Sequence, residues 1–349
     1  GIVTAEINPP VGEAVIKREE REIGSPVKVY FSDGKAVFNN FDVLRADNFT
    51  IDFLPEKSTY KLVFDKTEVV TELFVPEKNK RFIMNVTVKN LGETTKSYSI
   101  LNCAFPYLNE LLMAPWDKPE WYTKTEYLKD KNAFLTTKYS VAGKKEERRY
   151  LTIVSSDKAD CRELSLERLT TATKNFSVIP DKIGGVTEDT LYAFKQCASS
   201  LKKVTLSGCE SYSFTQTFSV TCDDKNIADD IKNSVKYFDL QAQKAEEKKL
   251  GKKYAELFSV RTVKTGDNDF DRFVNGFLPL EMYWVSSLDR GWPTGMRGVR
   301  DAANDFEGML CYNKDMCKGV IENIFSKQRS DGWYPRQVPF GSGTKFDLR

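Results

Sequence analysis

From its start to about residue 222 the chain alternates apolar and polar positions with a period of two. Val27-Lys28-Val29-Tyr30-Phe31 leads to Asp33-Gly34, a hairpin signal, and then to Ala36-Val37-Phe38. Tyr60 to Phe64 and Glu68 to Val75 form a second pair. Pro76 and the polar Glu77 to Lys80 turn the chain into Phe82 to Val88, which closes at Asn90-Leu91-Gly92. Further runs stand at Tyr98 to Leu101, Asn132 to Thr137, Arg149 to Val154, Lys203 to Leu206 and Tyr212 to Val220. β-Branched and aromatic residues alternating with polar ones predict half-buried antiparallel strands, and their regular spacing predicts a large β-sandwich over residues 1–222. The proline- and tryptophan-rich stretch from Pro106 to Thr123 is expected to be an ordered surface loop.

Past Cys222 the period changes. Asp223-Asp224 is positioned to cap a helix from Asn226 to about Leu250, rich in Lys, Glu, Ala and Gln, which reads as a polar linker with a solvated face. A short helical piece follows at Tyr254 to Leu257. Asp267 to Asp271 then opens an apolar helix through Phe273, Phe277, Leu280, Tyr283, Trp284 and Leu288. Two more helices are predicted from about Ala303 to Cys311 and from Lys314 to Gln328. The resulting division is a sandwich over 1–222, a helical linker over 223–265 and a helical region over 266–349: mainly β followed by α.

Composition narrows the chemistry. Lys+Arg 52 against Asp+Glu 50 leaves a net charge of +2 in 349 residues, which gives no electrostatic case for nucleic acid or an anionic membrane as partner. There is no histidine, so Ser-His or Cys-His catalysis and His-ligated metal are excluded for this chain. The seven cysteines are odd in number and hold no C-x-x-C pair, so they read as reduced thilos of a cytoplasmic protein rather than a zinc site or disulfide framework. No stretch approaches the ~20 apolar residues of a membrane span. The start at Gly1 reads as an internal piece of a longer polypeptide.

Candidate chemistry concentrates between Asp289 and Asp305, D-R-G-W-P-T-G-M-R-G-V-R-D-A-A-N-D. Arginine forks and carboxylates beside an aromatic face suit hydroxyl-rich or phosphorylated ligands. The run Gly298-Val299-Arg300-Asp301-Ala302-Ala303-Asn304-Asp305, the later Gln328-Arg329-Ser330-Asp331-Gly332, and the strand pieces Glu72-Leu73-Phe74-Val75-Pro76 and Val86-Thr87-Val88-Lys89-Asn90 resemble the glycoside phosphorylases of glycoside hydrolase family 94, related to cellobiose and chitobiose phosphorylase. The order sandwich, linker, helices matches that family over essentially the whole chain, and D-R-G-W-P-T-G-M-R-G is similar to its β-1,2-oligoglucan members.

The resemblance implies that the last region begins an (α/α)6 barrel. It also implies an inverting attack by inorganic phosphate on a β-glucosidic bond, giving an α-sugar 1-phosphate, with no metal or organic cofactor. Phosphate is itself the nucleophile, so a single general acid suffices where an inverting hydrolase uses two carboxylates. That acid, an aspartate in a D-W-N-D-like motif, is expected downstream of this chain; Trp116-Asp117 has the wrong neighbours for it. Arg300 and Asp305 are expected to hold the glucosyl unit, since a carboxylate accepts from vicinal hydroxyls and Arg supplies donors. Asp301 is either a sugar contact or a bridge to Arg300 or helix cap. Arg290 and Arg297 are candidates for phosphate or sugar, or form plain salt bridges. Trp292 stacks on a sugar or anchors packing. The family often places histidine or aromatic residues after the Q-x-x-D-G element. Here Trp333-Tyr334-Pro335-Arg336-Gln337 stands instead, which offers Arg336 and Gln337 as acceptor-side replacements.

The partners implied are an oligosaccharide, phosphate, the remainder of the polypeptide and a second copy, since family members often dimerise through the sandwich. Phe273, Phe277, Tyr283, Trp284 and Phe325 are expected to lie uncovered without the remaining barrel helices. A non-catalytic carbohydrate-binding sandwich and an inverting hydrolase on the same plan are the alternatives.

Overall fold

The computed structural model describes residues 27–76, 81–106, 108, 122–139, 148–184, 190–191, 195–221, 223–287, 296–335 and 337–339. The chain separates into two compact units, one over the described residues up to Glu247 and one from Lys248 onward.

The first unit is a two-sheet antiparallel sandwich. Its strands are β1 (Val27–Ser32), β2 (Val37–Asn39), β3 (Asn48–Phe53), β4 (Ser58–Phe64), β5 (Thr67–Phe74), β6 (Arg81–Asn90), β7 (Lys96–Ala104), β8 (Thr123–Leu128), β9 (Ala133–Lys138), β10 (Arg149–Ser155), β11 (Cys161–Ser165), β12 (Thr190–Leu191), β13 (Gln196–Leu206) and β14 (Ser211–Thr221). One sheet has the order β11-β13-β7-β1-β2 and the other β12-β8-β9-β10-β14-β6-β5-β4-β3. Alternate residues of the two inner faces form the core: Val29 and Phe31 from one sheet, Leu62, Val69, Phe82, Met84, Val86 and Phe218 from the other. A stacked ring pair at Phe38–Phe64 (4.2 Å) and a tilted one at Phe82–Phe218 (5.4 Å) fill it.

Several strands lie outside the sequence reading, and burial explains why. β13 begins at Gln196, ahead of the expected Lys203, because Gln196-Cys197-Ala198-Ser199-Ser200 is buried between β11 and β7, where small side chains fit and alternation is lost. β8 alternates Thr with Lys and Glu, and its buried positions are Thr123, Thr125 and Tyr127; threonine serving as an inward residue masks the period. β3 and β11 are also unpredicted, as is the short helix α1 (Leu166–Ala172), capped by Ser165, whose Oγ accepts from Arg168 N.

The outer face of the larger sheet is covered by the linker. The single helix expected from Asn226 to Leu250 is two, α2 (Ile227–Val235) and α3 (Leu240–Ser259), joined by a tight turn at Lys236–Phe238. Asp239 takes an extended conformation, and its carboxylate accepts from Gln241 N, so the chain stops and is recapped there. The linker's inward face is polar as well as apolar. Ile231 packs on Ala133 and Val154. Arg81 of β6, 3% exposed, donates to Ser234 Oγ at 3.1 Å and to Asp230 O at 3.0 Å. Asn85 donates to Gln243 Oε1 at 2.6 Å and accepts from Thr215 Oγ1 at 2.7 Å. The charged run is solvated only on its far side.

Beneath α1 the smaller sheet buries two thiols. Cys103 and Cys197 sit in one cluster with Leu101, Leu169 and Leu201. Burial pushes the Cys103 thiol up to about 12 and that of Cys197 well above its usual range. A folded-state value above the unfolded one means that the fold holds its proton longer. Stability therefore falls as pH rises from about 9 towards about 12. At pH 8 the exposed Cys209 and Cys311 are expected to react with a thiol reagent within minutes, and Cys103 and Cys197 only on unfolding. Counting modified cysteines by peptide mass checks this.

The second unit contains the rest of α3, then α4 (Asn268–Arg272), a π turn over Phe273–Phe277, α5 (Leu278–Ser287), β15 (Met296–Gly298), α6 (Val299–Met309), α7 (Lys314–Phe325) and β16 (Gln337–Pro339). No described helix is long and apolar enough to cross a membrane.

Candidate functional site

The opening of the helical unit is fastened by short polar side chains. Asp267 caps α4, accepting from Asp269 N and Phe270 N. Asp271 accepts from both the hydroxyl and the backbone N–H of Thr265, and the hydroxyl bond first of all holds its carboxyl below the usual range. Asn275, inside the π turn, clips Val263 in both directions at 2.7 Å. The π turn has no signature in the apolar spacing, so it escapes a sequence reading.

α6 carries the central motif. Phe306 and Met309, one turn apart, are buried together with Cys317 of α7, and Met282 and Tyr283 pack against them. This fixes the rotation of the helix. Asp305 borders that face and is half-buried, whereas Arg300, in the first turn, is exposed. Neither residue is without a partner. Five residues at 3.6 per turn separate their Cα–Cβ directions by roughly 140° around the axis. The helix alone therefore does not aim both side chains at one point, and convergence on one ligand needs the Arg300 stem to fold back across the first turn.

The Q-x-x-D-G element is a tight turn after α7. Gly332 has φ +87°, a conformation that favours glycine, and its N–H donates to Arg329 O at 2.9 Å. Gln328 donates to Gly332 O at 2.9 Å, and Asp331 bridges Arg329 at 2.6 Å while accepting from Trp333 N. These motif residues shape the turn, and Trp333 is left exposed beyond it. Tyr334 stands back against Phe325 at 5.8 Å.

β15 and β16 then pair antiparallel, with Arg297 opposite Val338 and Gly298 opposite Gln337. The backbone of the arginine-rich turn is thereby joined to that of the segment after the Q-x-x-D-G element. Arg297 and Gln337, forty residues apart in sequence, occupy neighbouring registers of one ribbon. Asp301 lies on α6 beside Arg300. Arg290, Trp292 and Arg336 lie outside the described residues, as does the loop holding Trp116 and Asp117. Among the described residues no cluster of three or more Cys, Asp or Glu could hold a metal.

Phe273, Phe277 and Phe325 are 47%, 55% and 58% exposed. Tyr283 is half-buried in edge contact with Tyr254 at 6.1 Å. The Trp284 side chain is outside the described set.

Comparison with solved structures gives the fold. A bacterial glucoamylase solved with acarbose matches with a TM-score of 0.58 at 12% identity, over 90% of this chain and 46% of that one. A protein described as a kojibiose phosphorylase from the human microbiome matches with a TM-score of 0.47 at 7% identity, over 79% of this chain and 32% of that one. The chain thus spans less than half the length of these structures. No curated protein matches. A family model, the supersandwich domain of glycosyl hydrolase family 94, matches residues 13–233, from ahead of β1 into α2. The sandwich strands β1 to β14 and most of the first linker helix fall within that match, which covers more than half of the chain, and the chain belongs to this family.

Proposed function

We propose that this chain is the leading part of an inverting glycoside phosphorylase that cleaves a β-glucosidic bond of an oligoglucan with inorganic phosphate, releasing α-glucose 1-phosphate. The observation that carries the reading is the supersandwich family match followed by the R-D-x-x-x-D run on α6. In this reading Arg300 and Asp305 hold the glucosyl unit, and Arg290 and Arg297 contact phosphate or sugar. Trp292 stacks on a sugar face, Asp301 positions Arg300, and Arg336 and Gln337 face the acceptor. The general acid comes from the rest of the polypeptide. β-1,2-Linked glucans are the favoured substrate class and the cytoplasm the favoured compartment, where phosphate is available as cosubstrate. The exposed Phe273, Phe277 and Phe325 support a missing remainder, because apolar rings left open on a helical unit need covering chain.

An inverting hydrolase is the second reading, favoured by the shared fold with the glucoamylase. Phosphate separates the two. Incubating the complete polypeptide with β-1,2-oligoglucan should give α-glucose 1-phosphate only when phosphate is present, and the 349-residue chain alone should give none. Sugar release in phosphate-free buffer would place the protein among the hydrolases.

A further inference from the structure

We propose that the indole of Trp333 is a stacking platform for a glucosyl unit of the oligoglucan, on the leaving-group side of the bond, beyond the unit at Arg300 and Asp305. The inference rests on the phosphorylase reading and adds to it a residue that sets affinity for the acceptor chain. The turn after α7 holds this residue rigidly. Gln328 donates to Gly332 O at 2.9 Å, and the Gly332 N–H donates to Arg329 O at 2.9 Å. The Trp333 N–H donates to Asp331 Oδ1 at 3.2 Å, and the Trp333 carbonyl accepts from Arg329 N at 2.9 Å. Both backbone polar groups of Trp333 are thus committed inside the turn, which Gly332 closes at φ +87°. The two consecutive aromatic residues then diverge: Tyr334 packs on Phe325, and Trp333 is 62% exposed. An indole fixed by its own backbone loses little freedom when a ligand settles on it.

The surroundings of the ring favour a sugar over covering polypeptide. The exposed Phe273, Phe277 and Phe325 stand on helical segments, where another helix can pack. Trp333 stands instead in a polar turn, beside the Arg329–Asp331 ion pair, whose members are each 45% exposed. A helix laid over the indole would bury that pair, at a desolvation cost that the attraction between the two charges does not recover. A pyranose has apolar C–H faces and a rim of hydroxyls. It covers the ring and leaves the ion pair at its wet edge.

The backbone places this turn next to the central motif. Gln337, four residues after Trp333, pairs with Gly298, which precedes α6 and stands two residues before Arg300. Four residues of chain span at most about 14 Å, so Trp333 lies within an oligosaccharide's reach of the ribbon that leads into α6. In the phosphorylase reading Arg336 and Gln337 face the acceptor, and Trp333 belongs to the same segment.

Kinetics of the complete polypeptide in the synthetic direction, with α-glucose 1-phosphate as donor and a β-1,2-oligoglucan as acceptor, test the platform. Trp333→Ala should raise the acceptor KM about 30-fold and keep the donor KM within about twofold, with no change in the urea midpoint. Trp333→Phe keeps a ring and should hold the acceptor KM within about threefold of the unmodified protein. An acceptor KM that does not move, donor and acceptor KM that rise together, or a Phe variant no better than Ala overturns the platform. A lowered urea midpoint for Trp333→Ala also overturns it, because the indole then packs under other chain. A complete polypeptide that neither forms nor consumes α-glucose 1-phosphate defeats the phosphorylase reading instead. Calorimetric titration with β-1,2-oligoglucan then decides the platform by itself: binding about 30-fold weaker in Trp333→Ala supports it, and binding that is equal, or absent in both proteins, overturns it.

Discussion

Replacing Arg81 by alanine is expected to cost roughly 3 kcal/mol of the sandwich unit's stability, the largest effect of any single side chain outside the apolar core. The guanidinium is almost wholly buried between β6 and α2. Burial lowers its pKa, and the Asp230 carboxylate at 3.7 Å works against that shift. Its hydrogen bonds include those to Ser234 Oγ and Asp230 O, and its Cζ lies 5.6 Å from the Tyr237 ring centre. Alanine leaves Ser234 Oγ buried without its donor and Asp230 facing a void, which is why the cost exceeds that of a surface ion pair. Arg81→Met keeps the volume but not the donors, and should recover about half of the loss. By contrast, Arg45→Ala, which removes the exposed pair with Asp42, should change stability by no more than ~1 kcal/mol. Urea midpoints of the three variants check the order. Hydrogen exchange should localise the Arg81 defect to residues 227–238.

That network also shows where sequence reading stops. The strands whose inward positions are aliphatic or aromatic, such as β6 with Phe82, Met84, Val86 and Val88, are legible because the period of two survives. β8 is not, because its inward threonines look solvent-facing on paper, and the first half of β13 is not, because small residues buried on both faces carry no alternation. The linker presents the reverse case. Its Lys and Glu content reads as a solvated helix, while Ser234, Gln243 and the neighbouring Asp230 bind buried polar groups of the sheet. Pairing of that kind depends on residues more than a hundred positions apart, which no local pattern records.

The site is legible in a similar, partial way. The Gly332 turn follows from the local chemistry of Gln328, Asp331 and glycine. Its Asp and Gln are occupied within the turn rather than presented outward. The joining of Gly298 to Gln337 through a two-stranded ribbon is a long-range event, visible only in the backbone.

Loss of either Arg300 or Asp305 in the complete polypeptide is expected to lower kcat/KM for phosphorolysis by about 100-fold, close to 2.7 kcal/mol at 1.36 kcal/mol per decade. Asp305→Asn keeps the shape and one acceptor but removes the charge, and Arg300→Gln removes the fork. Arg300 is exposed on the first turn of α6, so its replacement should leave the urea midpoint unchanged, which separates a binding defect from a folding one. The divergence of roughly 140° around the helix makes the double variant the decisive member of the set. If both side chains hold one glucosyl ring, removing the second after the first costs little more, and the combined loss falls well short of 10⁴-fold. A combined loss equal to the product of the single losses means that the two act on separate groups. In that case Asp305, bordering the Phe306–Met309 packing face, acts by setting the helix, and the sugar contact belongs to the first turn and the adjoining β15–β16 ribbon.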